Sequence, residues 1–146
     1  MDRRAGFGVL LDGTFKRIKT HYSDAFKTEG IPITPEQWTI LEIIDNLGEK
    51  ASQKEVSNLS YRNKTTTSRI IDGLVKKELI ERTRFNGDLK RVRLLLTKDG
   101  ERLVAKTSPI VKRLRDIGYK NISENDFDIF IEVLKRLQVN YGQSTK

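Results

Sequence analysis

The step Asn86-Gly87 lies between two extended basic runs, "LIERTRF" and "LKRVRLLLT", in a chain whose remaining pattern is helical. Asn-Gly at a tip supplies the positive φ of a tight hairpin turn, and Val92, Leu94 and Leu96 alternate with Arg91 and Arg93 as a half-buried strand should. One β-hairpin among helices leaves few layouts open, and the helices around it decide between them.

Ahead of the hairpin, Phe7, Leu11, Phe15, Ile18, Tyr22 and Phe26 recur at helical spacing and form one stripe of a first helix over residues 5–27. Gly6, Gly8 and Gly13 each weaken its first half by roughly 1 kcal/mol relative to Ala, so that half needs a surface to dock on. Thr34 is a natural N-cap with Pro35 at the first helical position, and Trp38, Leu41, Ile44 and Leu47 are the stripe of a second helix ending near Gly48. Ser52, with Glu55 as capping-box partner, opens a short third helix to Leu59. Asn63 caps a fourth, with Ile70, Ile71, Leu74 and Val75 as its buried face. After the hairpin, Thr97 caps a fifth helix carrying Leu103, Val104, Ile110, Val111, Leu114 and Ile117; Pro109 either kinks it or starts a new helix at Ser108. Ser123 caps a last helix with Phe127, Phe130, Ile131, Leu134 and Leu137, and "GQSTK" reads as a frayed tail. Three helices followed by a basic hairpin is the layout of a winged helix-turn-helix. The expected fold is mainly α with a small β-hairpin, in a single domain over residues 1–146.

Charge is concentrated in the middle of the chain. Residues 1–49 hold six Lys/Arg against eight Asp/Glu, residues 50–99 thirteen against six, and residues 100–146 nine against six, so most of the net +8 sits in the middle third. That is the footprint of a polyanion-binding segment, or of a solvated basic face. With 33% charged and 36% apolar residues the chain is expected to be soluble and folded. No apolar run approaches the roughly 20 residues of a membrane span, and no small-residue cleavage site follows the apolar patch near the N-terminus, so a cytoplasmic location is expected. The absence of cysteine excludes disulfides, thiolate metal sites and cysteine nucleophiles. His21 is the lone histidine, no Gly-rich phosphate loop is present, and no carboxylate pair has metal-binding spacing on one helix. The chain is therefore not expected to be an enzyme or to hold a cofactor or metal.

The fourth helix opens "NKTTTSR", a poor choice for helix stability because Ser and Thr hydroxyls compete for nearby backbone groups. Short polar side chains at that position let a helix backbone approach a DNA major groove, with its positive end towards phosphate. Lys64, Thr65, Thr66, Ser68 and Arg69 are the candidate recognition residues, with Ser52, Gln53, Arg62 and Asn63 as candidate phosphate contacts. On the hairpin, Arg82, Arg84, Asp88, Lys90 and Arg91 are the candidate wing residues for the backbone or the narrow minor groove. A winged-helix module for non-specific nucleic-acid or protein binding is the alternative, and RNA is disfavoured because its deep, narrow major groove would not admit the helix.

Together, "ITPEQWTILEII", "SQKEVSNLS", "NKTTTSRIIDGLVKKELIERTR" and "LLLTKDGERL" resemble the multiple antibiotic resistance regulator (MarR) family of bacterial transcription factors. The resemblance implies a winged helix-turn-helix lobe over residues 33–100 and dimerisation helices over 5–27 and 101–141. It implies a homodimer on double-stranded DNA at a pseudopalindromic operator, usually as a repressor released by a small, often aromatic, ligand. His21, Tyr22 and Trp38 are candidates for lining such a ligand cavity, against the reading in which Trp38 is core and His21 partly exposed. Two positions depart from the family pattern. Asp88 is followed by Leu89 and Lys90 instead of Arg-Arg, which hands the minor-groove position to Lys90 and leaves Arg91 pointing elsewhere. Glu78 stands where glycine is common, and must either adopt a left-handed conformation or end the helix differently.

Overall fold

A computed structural model of the chain describes residues 2–142; of the tail "GQSTK", all but Gly142 lies outside the described residues. The order is α1 (Arg3–Thr28), α2 (Pro35–Leu47), a 3-10 turn (Gly48–Lys50), α3 (Gln53–Leu59), α4 (Lys64–Lys76), β1 (Ile80–Phe85), β2 (Asp88–Leu96), α5 (Lys98–Gly118) and α6 (Glu124–Gly142). Two compact units result, one up to Leu114 and one from Arg115 onward.

The first unit is built around Ile40, Leu41, Val56, Ile71, Leu74 and Leu94, all fully buried, so α2, α3, α4 and β2 share one core. The side chain of Thr34 accepts from the Gln37 amide and the Thr34 amide donates to Gln37 Oε1, a complete capping box. Ser52 makes only the first half of such a box, accepting from the Glu55 amide at 3.0 Å. Pro109 lies inside a single helix, which settles the choice left open by the sequence in favour of one α5. On α1 the expected stripe divides: Phe26 is buried and Tyr22 packs beside it, whereas Phe7, Leu11, Phe15 and Ile18 stay exposed.

Glu78 takes the left-handed option, with φ +60. Its amide donates to the Val75 carbonyl at 2.9 Å and the Leu79 amide to the Leu74 carbonyl at 3.1 Å, a Schellman closure of α4 with glutamate at the usual glycine position.

In the second unit, α6 has no buried residue: Phe127, Ile131, Leu134 and Leu137 are half-buried and Phe130 is exposed. The Phe127 ring lies 4.7 Å from that of Tyr119 and 6.4 Å from that of Phe130.

Candidate nucleic-acid interface

The second helix of the turn motif, α4, is fixed by its ends and by one face. Asn63 Oδ1 accepts from the Thr66 amide at 2.8 Å, and Ile71 and Leu74 hold the inner face. Thr67 is 0% exposed and donates to Ser57 Oγ, which itself donates to the Arg62 carbonyl. The hydroxyl run of the sequence therefore serves two tasks. Thr67 joins α4 to α3 in the core, while Lys64, Thr65 and Arg69 are exposed and Thr66 and Ser68 are half-buried. The signal was present in the spacing, since Thr67 stands four residues before Ile71 and shares its face.

The candidate phosphate contacts are placed at the starts of α3 and α4 and are largely committed to the fold. Ser52 is 6% exposed and its hydroxyl is the α3 cap; Asn63 is exposed, but its side chain is the α4 cap. Gln53 Oε1 accepts from Arg82 Nε at 3.2 Å. Arg62 is half-buried, and its Nε has no hydrogen-bond partner among the described residues.

The wing is tied to the helices at its base. The Leu94 amide donates to the Ala51 carbonyl at 2.9 Å, and Ser52 and Arg93 form an isolated antiparallel bridge, so β2 pairs with the segment that leads into α3. Arg82 also donates to Asp72 Oδ1 at 2.5 Å and to the Ser68 carbonyl at 3.5 Å. Arg82, a wing candidate, braces β1 to α3 and α4; Arg84 is exposed.

Asn86-Gly87 is the two-residue tip that joins Phe85 to Asp88, but its turn type differs from the one a hairpin favours. Gly87 has φ +77, but Asn86 is not among the residues at positive φ, as the favoured two-residue turn would require of both. Pairing runs regularly from Ile80↔Leu96 to Arg84↔Val92 and then jumps to Phe85↔Asp88, which leaves Leu89, Lys90 and Arg91 as a bulge. Asp88 Oδ1 accepts from the amides of Lys90 and Arg91 at 3.0 and 3.2 Å and so holds that bulge. Asp88 acts on the wing backbone, while Lys90 and Arg91 are exposed at its surface.

Between wing and helices runs a groove of about 540 Å³ whose charged lining is Lys54, Lys64, Lys90 and Arg91 against the single carboxylate Glu55. The sequence reading missed Lys54, which only the fold brings to the same groove as the wing.

The three ligand-cavity candidates are placed apart in character. Trp38 is 3% exposed in the core, Tyr22 is half-buried beside Phe26, and His21 is exposed in a shallow depression with Lys16, Arg17, Thr20 and Asp24. Among the described residues no group of three or more His, Cys, Asp or Glu is arranged to hold a metal ion, and no helix is long and apolar enough to cross a membrane.

A helix-turn-helix whose second helix carries an exposed Lys-Thr-Arg edge, followed by a basic hairpin fastened to its base, defines a winged helix-turn-helix protein. The chain belongs to the MarR family of transcriptional regulators, and so is not an enzyme. The MarR family model matches residues 33–92. The HTH-type transcriptional regulator YsmB of Bacillus subtilis (strain 168) is 34% identical over 109 residues, covering 73% of this chain and 72% of that protein. Among solved structures, a MarR/EmrR family transcriptional regulator from Acinetobacter sp. ADP1 matches with TM-score 0.85 at 19% identity, over 99% of this chain and 100% of that one. The MepR–DNA complex of S. aureus matches with TM-score 0.81 at 20% identity, over 92% and 97%.

Proposed function

We propose that the chain is a cytoplasmic, sequence-specific repressor that binds a pseudopalindromic operator as a homodimer. The observation that carries this is the exposed edge of α4, Lys64, Thr65 and Arg69, beside a cationic groove that the wing closes from the other side. An α-helix fits the major groove, and the groove beside it carries the positive charge to follow the adjoining phosphate strand. The solved MepR structure of the same fold is a complex with DNA.

Dimerisation is supported by apolar surface that a monomer would leave in water. On α1, Phe7, Leu10, Leu11, Phe15 and Ile18 are exposed, with Leu10 71% so, and on α6 Ile129, Phe130 and Val133 are exposed. Contiguous faces of this kind mark protein contacts. Release by a small aromatic ligand belongs to the same reading, with Trp38 as its candidate contact: the indole N–H is buried with no hydrogen-bond partner among the described residues.

Fluorescence anisotropy on duplexes from the chain's own promoter, beside unrelated duplexes and single-stranded RNA, tests the reading. The expected result is tight, salt-sensitive binding to one duplex; Arg69→Ala loses the sequence preference, and Lys64→Ala weakens all duplexes evenly and lowers the salt slope by about 1. Equal, weak binding to every nucleic acid, unchanged in Arg69→Ala, would leave a winged-helix module without operator recognition. Sedimentation equilibrium giving a monomer at micromolar concentration would remove the dimer.

A further inference from the structure

We propose that Phe85 is a positioning residue for DNA binding, and that it holds Arg91 as the wing's phosphate contact. This rests on the reading of the chain as a DNA-binding regulator.

The bulge held by Asp88 brings Arg91 back over the opposite strand, so that its guanidinium carbon lies 4.2 Å from the centroid of the Phe85 ring. Arg93 approaches the same ring at 5.7 Å, and Phe85 is half-buried. A guanidinium has two distinct kinds of surface. Its flat face stacks on an aromatic ring, while its five N–H groups radiate from the edge. Held at cation–π distance over Phe85, Arg91 keeps N–H groups for a phosphate and has already given up much of the rotamer freedom that an arginine loses on binding. Arg91 and Lys64 line the same groove, the space assigned to the phosphate strand. Lys90, the family's minor-groove position in this chain, is a compact point charge on a flexible stem and has no face to stack. The substitution of the family's Arg-Arg by Leu89-Lys90 thus transfers the directional contact one residue on, to Arg91, with the aromatic at 85 as its support.

The experiment is a double-mutant cycle of duplex affinity, using a labelled promoter duplex and an unrelated duplex of equal length, with a salt series for each variant. Phe85→Leu is expected to weaken both duplexes about 2- to 5-fold. Arg91→Ala weakens both and lowers the salt slope by about 1. The double variant binds no more weakly than Arg91→Ala alone, and Phe85→Tyr keeps wild-type affinity. In the free protein, the Arg91 side-chain N–H resonance is displaced by the ring in the wild type and in Phe85→Tyr, and returns to its ordinary position in Phe85→Leu. Additive losses in the double variant, which a merely loosened wing would also give, overturn the proposal. So do unchanged or tighter binding by Phe85→Leu, or an Arg91 resonance that the substitution does not move. A wild-type chain that binds no duplex removes the functional reading and the proposal together, whereas wild-type binding with additive losses removes the proposal alone.

Discussion

Gly100 sits directly beneath the carbonyl of Leu79: a Cβ at residue 100 would lie 2.0 Å from that oxygen and 3.1 Å from its carbon. The two residues join the first turn of α5 to the exit of α4, where Thr97 Oγ1 both donates to the Glu78 carbonyl at 2.7 Å and accepts from the Gly100 amide at 3.0 Å.

Gly100→Ala is therefore expected to destabilise the chain by roughly 3 kcal/mol, the upper end for overpacking, because the obstacle is backbone and not a movable side chain. Urea denaturation measures this, and a loss below about 0.5 kcal/mol would show that α5 can move off Leu79 freely.

At Glu78 the sign reverses. Left-handed backbone costs a non-glycine residue about 1–2 kcal/mol, and glycine gives back part of that through a more flexible unfolded chain. Glu78→Gly should raise stability by about 0.5–1 kcal/mol. The neighbouring bonds are made by the backbone and survive the change. A Glu78→Gly variant less stable than its parent would contradict the strain at φ +60.

Thr67 and Arg69 are expected to separate folding from DNA recognition within one helix. Thr67→Val keeps the shape and removes a buried donor, at a cost of about 0.5–1.5 kcal/mol, and should leave duplex preference intact. Arg69→Ala is exposed and should do the opposite. Loss of duplex preference in Thr67→Val without loss of stability would reverse this division.

These residues also mark what could be read without a structure. The helix starts were legible because Thr34, Ser52, Asn63, Thr97 and Ser123 are short-range signals, and each side chain accepts the amide three residues on. The hairpin was legible from alternation and Asn-Gly, but its bulged register was not, since Asp88 selects it through its own side chain. The partners of Arg82 were not legible, because charge in a sequence carries no partner. Its engagement with Asp72 and Gln53 exists only once β1 is folded against α3 and α4. Gly100 was silent for the same reason, its constraint being a carbonyl remote in the chain.

For that brace, Asp72→Ala and Arg82→Ala are expected to couple. Each pair member is partly exposed, so a double-mutant cycle in urea should return about 0.2–1 kcal/mol, and zero coupling would mean that the bond holds nothing in solution.

The hydrogen bond from Lys19 holds the Glu36 carboxyl below its usual range, burial opposes this, and attraction to Lys19 and Arg62 adds to it. With the folded value below the unfolded one near 4.5, the stabilisation is fully present above that pH and is lost as pH falls through the folded value. Lys19→Met should thus cost about 0.2–1 kcal/mol near neutrality, a difference that closes below about pH 4.5. Urea midpoints across a pH series would show it, and a gap that stays constant into acid would exclude the pair as its source.

The caps that open α2 to α6 have a consequence for the order in which the chain acquires its shape. Each start is encoded within four residues, so these helices can nucleate on the microsecond scale of local structure without waiting for distant partners. The slow closure is the wing, whose β2 must find Ala51 across the intervening α3 and α4. Helices first, wing last, is the sequence of events this local encoding favours, and it leaves the groove between wing and helices as the final feature to form.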